Sequence, residues 1–165
     1  MKGYEIERKF LVEFPDIEKL KVKEKRSIFQ TYLKNDENGT QKRVRKIECG
    51  DNIIYTYTEK LFLTSVTRKE MEYDIDESEY QRLLTQAQED YPPVRKVRYV
   101  FEYENQVFEL DTYPFSADLA VLEIEMENAE QQINFPEYLN IIKEVTDDVR
   151  YSNLSLATAG EFPES

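Results

Sequence analysis

The stretch Glu5-Ile6-Glu7-Arg8-Lys9-Phe10-Leu11-Val12 decides the fold of this chain. Side chains of an extended strand alternate between two faces, so Glu5, Glu7 and Lys9 share one face. The opposite face carries mainly apolar side chains, with Arg8 among them. The stretch therefore predicts a β-strand with one charged face and one apolar face.

The same division recurs along the chain, in pairs of like charge that flank one apolar residue. The pairs occur in Arg43-Val44-Arg45, Glu70-Met71-Glu72, Lys96-Val97-Arg98, Glu109-Leu110-Asp111 and Glu123-Ile124-Glu125. For any single strand, the simpler interpretation is a half-exposed sheet with a polar outer face. Like charges about 6.5 Å apart repel each other unless a ligand lies between them. Their repetition favours charged faces that turn inward.

Alternation of apolar and polar residues predicts eight strands, at residues 3–12, 28–35, 40–49, 52–60, 68–75, 95–104, 106–113 and 120–127. Short turns that contain Asn or Gly join several of them, which indicates antiparallel hairpins. Helical spacing of apolar residues predicts helices at 77–89 and 136–144, and a less regular one at 15–21. We therefore expect an α+β fold, in which an eight-stranded closed antiparallel β-barrel has a charged lumen and helices packed outside.

Composition limits the kind of protein this is. A chain of 165 residues suits one domain, and residues 158–165 are expected to form a flexible C-terminal tail. The net charge of −12 argues against DNA as a partner, because non-specific binding relies on clustered Lys and Arg. No apolar run is long enough to cross a membrane, and the first ten residues lack the apolar core of a signal peptide, so we expect a cytoplasmic protein.

The residue types also limit the chemistry of a site. The chain has no histidine and one cysteine, Cys49, which disfavours zinc sites, histidine-based catalysis and an internal disulfide. A metal ion would then be held by oxygen. Acidic pairs suit Mg²⁺ or Mn²⁺, and basic pairs suit phosphate, which arginine binds with two parallel hydrogen bonds.

The opening Glu5-Ile6-Glu7-Arg8-Lys9 resembles the ExExK signature of the CYTH superfamily, the triphosphate tunnel metalloenzymes. Further segments resemble strands of that family in the same order: Arg43-Val44-Arg45, Thr58-Glu59-Lys60, Arg68-Lys69-Glu70-Met71-Glu72, Lys96-Val97-Arg98, Glu109-Leu110-Asp111, Glu123-Ile124-Glu125 and Asp148-Val149-Arg150-Tyr151-Ser152-Asn153. The resemblance implies one domain over residues 1–157, folded as a tunnel that binds a triphosphate with Mg²⁺ or Mn²⁺.

The resemblance also implies roles for individual residues. The metal-binding positions are Glu5, Glu7, Asp111, Glu123 and Glu125, where Glu7 acting indirectly and Glu109 joining the set are alternatives. The phosphate-binding positions are Lys9, Arg43, Arg45, Lys60, Lys96, Arg98 and Arg150. Relatives suggest Lys60 with Tyr32 as a catalytic pair, although structural packing as an ordinary strand aromatic is the favoured role for Tyr32. We expect internal ion pairs for Glu70 and Glu72, and outward positions for Arg8 and Lys69.

The compact chain and its ending at residues 147–157 are most similar to short bacterial inorganic tripolyphosphatases. The expected function is divalent-metal-dependent hydrolysis of inorganic tripolyphosphate to pyrophosphate and phosphate, by a monomer or homodimer. Related proteins leave two other activities open, a class IV-type adenylate cyclase and a thiamine triphosphatase. A non-catalytic protein that binds polyphosphate or nucleotide is the alternative from a different class.

Overall fold

The structure, a computed structural model, describes residues 4–35, 39–64, 67–128 and 130–164, apart from the side chains of Tyr4 and Glu5. Within these residues it contains nine strands and two α-helices. The strands are β1 (Tyr4–Glu13), β2 (Glu24–Tyr32), β3 (Gln41–Cys49), β4 (Asn52–Phe62), β5 (Thr67–Ile75), β6 (Val94–Tyr103), β7 (Gln106–Thr112), β8 (Leu119–Met126) and β9 (Ile141–Glu144). The helices are α1 (Glu77–Leu84) and α2 (Asn153–Ala159), and short 3-10 helices cover Ile17–Leu20 and Val149–Tyr151.

Eight of the strands close into an antiparallel barrel, as the alternation predicted. Their order is β5-β4-β3-β2-β6-β7-β8-β1, and β1 pairs back onto β5 where Tyr4 lies opposite Lys69 and Ile6 opposite Thr67. The ninth strand, β9, pairs with the same edge of β1 further along, where Leu11 lies opposite Lys143. Along one edge of β1, the neighbouring strand is therefore β5 near the start of β1 and β9 further along.

The prediction of a helix at 136–144 is wrong, because the second half of this segment forms strand β9. Ile141 pairs with Val12, while Tyr138 and Ile142, two members of the expected apolar stripe, are exposed. The β1–β5 pairing ends at Ile6, which leaves backbone groups of β1 that need hydrogen bonds. Pairing with β1 therefore decides the conformation of this segment. The spacing of apolar residues within the segment carries no information about the unpaired backbone groups of β1.

The other helices differ in length from the prediction. Helix α1 begins after Asp76, whose side chain accepts a hydrogen bond from the Glu79 backbone N–H, and it ends at Leu84, five residues before the predicted end. Beyond it, Ala87 forms a bridge to Leu33 next to β2. The less regular segment at 15–21 contains only the 3-10 turn. Helix α2 was not predicted.

Apolar residues of the outer barrel faces form two of the cores. The larger lies over β1 and β6–β8, where Phe101, Phe108 and Leu122 are fully buried beneath the 3-10 turn and residues 133–141. The second lies where Tyr80 and Leu83 of α1 pack on β3 and β4. Because the apolar faces of the strands point outward, the charged faces point into the barrel.

Helix α2 packs at one end of the barrel, against side chains that lie on the inward face of their strands. Leu156 is fully buried among Tyr32, Val94, Tyr113 and Val121. The lumen face is thus apolar at this end and charged along the rest. The flexibility expected for residues 158–165 stays a prediction; within that stretch, the ring of Phe162 packs on Tyr113 and Phe115.

Candidate active site: a charged tunnel

A cavity of about 540 Å³ occupies the interior of the barrel, and its lining is dominated by charge. Among the described side chains of the strands, seven basic residues line it: Lys9, Arg26, Arg43, Arg45, Lys60, Arg68 and Arg98. Six acidic strand residues also line it: Glu7, Glu70, Glu72, Glu109, Glu123 and Glu125. The near balance of charge is what allows so many ionic side chains to be enclosed together.

Strand register explains why these residues meet. Arg45 lies opposite Gln30 on β2 and Thr56 on β4, and Arg43 lies opposite Tyr32 and Thr58. Because paired residues of antiparallel strands project to the same side of a sheet, one inward residue brings its neighbours inward. Arg45 Nε donates a hydrogen bond of 2.7 Å to Gln30, which holds the guanidinium in the lumen.

A fully buried ion cluster centres on Asp111. Its carboxylate accepts hydrogen bonds from Lys96 Nζ at 2.8 Å and from Arg98 Nε and Nη2 at 2.8 and 2.9 Å. Burial lowers the pKa of Lys96 to about 7, although Asp111 acts in the opposite direction. Burial also acts to lower the pKa of Arg98, but Asp111 and Glu109 raise it well above the ordinary value. Asp111 therefore holds both bases in place and is not directed into the cavity.

Two of the predicted metal ligands, Glu7 and Glu123, contact each other inside the tunnel. Burial acts to raise the pKa of Glu7, but Lys9, the contact with Glu123, Lys60 and Arg68 together lower it to about 2. Burial and Glu7 act to raise the pKa of Glu123, yet the nearby bases Lys9, Arg98 and Lys96 leave it below the ordinary value. The neighbouring bases thus favour the charged form of both carboxyl groups, despite their proximity.

The remaining predicted metal ligands occupy different surroundings. Glu125 lies opposite Glu7 in the β1–β8 pair and lines the tunnel. The side chain of Glu5 lies outside the described part of the chain. Burial raises the pKa of Glu109, the alternative ligand; Arg98 opposes this shift, and Glu123, Asp111 and Glu7 add to it. Among the described side chains, no three carboxylates approach closely enough to hold a metal ion together.

The predicted catalytic residues both line the tunnel but on different strands. The Tyr32 hydroxyl accepts a hydrogen bond of 2.9 Å from Gln30, and the Lys60 ammonium lies 3.6 Å from Glu70. Strand β3 separates β2 from β4, and Arg43 on β3 lies opposite Tyr32. The ion pair of Glu70 was expected, whereas Glu72 instead accepts a hydrogen bond from Thr58 at 2.8 Å.

Arg150 is the predicted phosphate ligand that the structure places apart from the others. Its guanidinium is half exposed and forms an ion pair with Asp148 at 2.6 Å, outside the lining of the tunnel. Residues around it, from Val145 to Leu154, line the opening near the edge shared by β5 and β9. Lys96 is also absent from the lining, because it lies behind Arg98 against Asp111.

Sequence reasoning missed Arg26 and Gln30. Arg26 lines the tunnel opposite Arg98, and fully buried Gln30 connects Tyr32 to Arg45. Both have the inward parity of β2, but the predicted strand began at residue 28 and so excluded Arg26. The segment Glu24–Ser27 has no apolar residue, and its pairing with β6 is what makes it a strand. An extension of the alternation backward from Tyr32 would have found Arg26.

The outward predictions agree with the structure. Arg8 reaches Glu144 on β9 with two hydrogen bonds, of 2.6 and 2.8 Å, and Lys69 is exposed. Cys49 lies at the end of β3, where its thiol contacts Glu24 at 3.3 Å. Within the described residues, no helix is long and apolar enough to span a membrane.

Comparison with known proteins agrees with this geometry. The CYTH domain model matches residues 3–158. The inorganic triphosphatase of Acetivibrio thermocellus is 32% identical over 94 residues, which cover 56% of this chain and only 58% of that protein. The crystal structure of the inorganic triphosphatase NE1496 superposes with a TM-score of 0.56 at 30% identity, and 97% of both chains is covered. PH1819 of Pyrococcus horikoshii shares the fold, with a TM-score of 0.60 at 20% identity over 76% of this chain and 80% of that one.

Proposed function

Because the chain belongs to the CYTH family, we propose that it hydrolyses a triphosphate substrate with a divalent metal ion. Inorganic tripolyphosphate, cleaved to pyrophosphate and phosphate, is the proposed substrate. Its support is the enclosed charged cavity, with its clustered basic side chains, together with similarity to two proteins named inorganic triphosphatase. The observation that carries the proposal is the set of seven basic side chains around one cavity.

These bases need a polyanion. Arg43, Arg45, Lys60, Arg68 and Arg98 are all buried, and burying like charges together costs free energy unless opposite charge compensates them. Burial, followed by repulsion from Arg43 and Arg98, lowers the pKa of Arg45 to about 9. Within the described residues, the buried Arg43 Nε has no hydrogen-bond partner. A chain of phosphates would satisfy this donor and relieve the repulsion.

The carboxylates fit a small divalent cation. Glu7 and Glu123 are in contact, so this pair would hold Mg²⁺ or Mn²⁺ through oxygen atoms, and Glu125, opposite Glu7, would join them once its side chain moves closer. Glu5 pairs with Arg68 in the β1–β5 register and is proposed as a further ligand. When bound, such an ion neutralises charge on phosphate oxygens. Asp111 would act by holding Lys96 and Arg98.

The residues of the tunnel account for the proposed reaction mainly by position and charge. In phosphoryl transfer a water oxygen forms a bond to phosphorus as the bridging P–O bond breaks, and the leaving pyrophosphate keeps the bridging oxygen. Arg43, Arg45 and Arg98 would stabilise the charge on the phosphate oxygens. In its neutral amine form, after it loses a proton to solvent, Lys60 is proposed to take the proton of the attacking water with Tyr32 assisting, and it then passes this proton to bulk solvent. Arg150 would bind a phosphate group of the substrate in place of its present partner, Asp148.

One assay distinguishes this function from its alternatives. The purified protein is incubated with Mg²⁺ or Mn²⁺ and separately with tripolyphosphate, ATP and thiamine triphosphate, and phosphate, pyrophosphate and cyclic AMP are quantified. We expect metal-dependent release of one phosphate and one pyrophosphate per tripolyphosphate. Cyclic AMP with pyrophosphate from ATP would indicate a cyclase, preference for thiamine triphosphate would indicate that activity, and tight binding without any product would indicate a non-catalytic binder.

A further inference from the structure

Gln30 is a fully buried amide on the inward face of β2, and it lies between two residues of the candidate site. Its Oε1 accepts a hydrogen bond of 2.7 Å from Arg45 Nε, and its Nε2 donates one of 2.9 Å to the Tyr32 hydroxyl. Arg45 lies opposite Gln30 in the β2–β3 register, and Tyr32 follows Gln30 by two residues on β2. A buried amide that is bonded on both sides is held in one orientation, which fixes both of its neighbours.

The orientation of the Gln30 amide follows from Arg45. An arginine Nε–H only donates, so the atom of Gln30 that faces it is the oxygen, and the amide nitrogen therefore faces Tyr32. The Tyr32 oxygen then accepts a hydrogen bond, and its own proton is directed away from Gln30. Tyr32 lines the tunnel, and within the described residues its hydroxyl donates to no acceptor. That proton is thus available to an oxygen atom of a ligand in the tunnel.

Gln30 also holds Arg45 without adding negative charge. Arg98, by contrast, is held by the carboxylate of Asp111 at 2.8 Å. In the part of the chain that the structure describes, Arg45 forms no ion pair of this kind, and its hydrogen-bond partner is the neutral amide. The anchored guanidinium therefore keeps its Nη groups and its charge for an anion.

Building on the proposed function, we infer that Gln30 is a positioning residue, which anchors Arg45 without neutralising it and directs the Tyr32 hydroxyl to donate to the phosphate chain. A carboxylate in place of this amide would keep the hydrogen bond to Arg45 but reverse both effects. It would neutralise the guanidinium and, because an ionised carboxylate only accepts hydrogen bonds, it would take the proton of Tyr32. Gln30→Glu therefore separates this role from a merely structural one.

Calorimetry with diimidotriphosphate, a tripolyphosphate in which NH replaces both bridging oxygens, measures binding apart from hydrolysis. With Mg²⁺ present, Gln30→Glu should lower the affinity for this probe at least about tenfold, the effect of losing a hydrogen bond to a charged group. Tyr32→Phe should cost a similar factor in the wild-type protein. In the Gln30→Glu background it should cost almost nothing, since the phenol proton is already bound by the new carboxylate.

Gln41→Glu is the matched control, because it adds the same charge to the tunnel lining, opposite Lys60, without a described hydrogen bond to Arg45 or Tyr32. In that background the effect of Tyr32→Phe on affinity should persist. Gln30→Met, which is similar in length and uncharged, should lower the affinity at least about fivefold by releasing Arg45. This second variant provides the test if circular dichroism shows that Gln30→Glu does not fold.

Three results would each overturn the inference: wild-type affinity in folded Gln30→Glu or Gln30→Met, an equal effect of Tyr32→Phe in the wild-type and Gln30→Glu backgrounds, or no binding of diimidotriphosphate to the wild-type protein. A protein that binds the probe in the expected pattern but does not hydrolyse tripolyphosphate would instead refute the proposed function alone.

Discussion

Replacing Asp111 by Asn should destabilise the protein by about 3 kcal/mol, because it leaves two buried cations without their main partner. Lys96 and Asp111 are completely buried as side chains, and Arg98 is 9% exposed. Loss of one member of a buried ion pair costs about 3–5 kcal/mol. The lower end applies here, since Arg98 keeps Glu123 at 3.2 Å and Glu109 at 3.4 Å. Lys96 Nζ would keep one described hydrogen bond, to the side-chain oxygen Oδ1 of Asn153 at 3.2 Å.

Urea unfolding followed by circular dichroism measures this change, and the melting temperature should fall by roughly 10 °C for a chain of this size. Lys96→Met added to Asp111→Asn should recover about 1–2 kcal/mol by removing an unpaired buried ammonium. Glu102→Gln is the control, since Glu102 pairs with Lys23 at 2.6 Å on the surface and should contribute less than about 1 kcal/mol. A loss below about 1 kcal/mol for Asp111→Asn, or no recovery in the double variant, would refute the assignment of this cluster as a buried ionic centre.

Three further predictions concern the site and its frame. Glu123→Gln should raise the metal concentration that gives half-maximal activity at least about tenfold, because it removes charge beside Glu7; an unchanged metal titration would place Glu123 outside the metal site. Lys60→Ala should lower kcat for tripolyphosphate by about a hundredfold or more if Lys60 accepts the proton, and near-normal turnover at saturating Mg²⁺ would exclude that role. Glu144→Gln tests the acid sensitivity of the β9 contact, since hydrogen bonding to Arg8 lowers the pKa of Glu144 in the folded state. A carboxyl with a lowered folded pKa stabilises the protein above its unfolded pKa and loses this contribution as pH falls through the folded pKa. The free energies of unfolding of wild type and variant, measured in urea, should therefore differ at pH 7 and converge below about pH 4. A difference that stays constant with pH would show that the charge of Glu144 does not stabilise the contact.

Local alternation predicted the strands, and the like-charge pairs with the ordered family resemblance predicted that they close into a barrel with the charges inside. Most of the predicted strands carry apolar residues on one face and charged residues on the other, and seven of the eight begin within one residue of those observed. The exception, β2, begins four residues early because pairing with β6 and not its own composition makes Glu24–Ser27 extended. Strand β9 could not be found for the same reason, since pairing along the edge of β1 decides its conformation.

For the candidate site, too, local alternation predicted some features and the tertiary structure decided others. Parity and like-charge pairs were enough to assign Glu7, Glu123, Arg43 and Arg45 to one inner surface, because the period of two in a strand is a local property. Which of these side chains face a ligand and which face each other depends on distances across the barrel. Only the tertiary structure shows that Asp111 binds Lys96 and Arg98, and that Arg150 turns to Asp148.

The sequence by itself thus predicted a closed sheet with its charges inside, because strand periodicity and charge pairing lie in neighbouring residues and the family's motifs follow in order along the chain. Tertiary structure alone decided how those charges are partnered, where β9 replaces β5 along β1, and that α2 packs at the apolar end of the barrel. These features depend on contacts between residues distant in the chain, whose geometry is set only when the barrel closes.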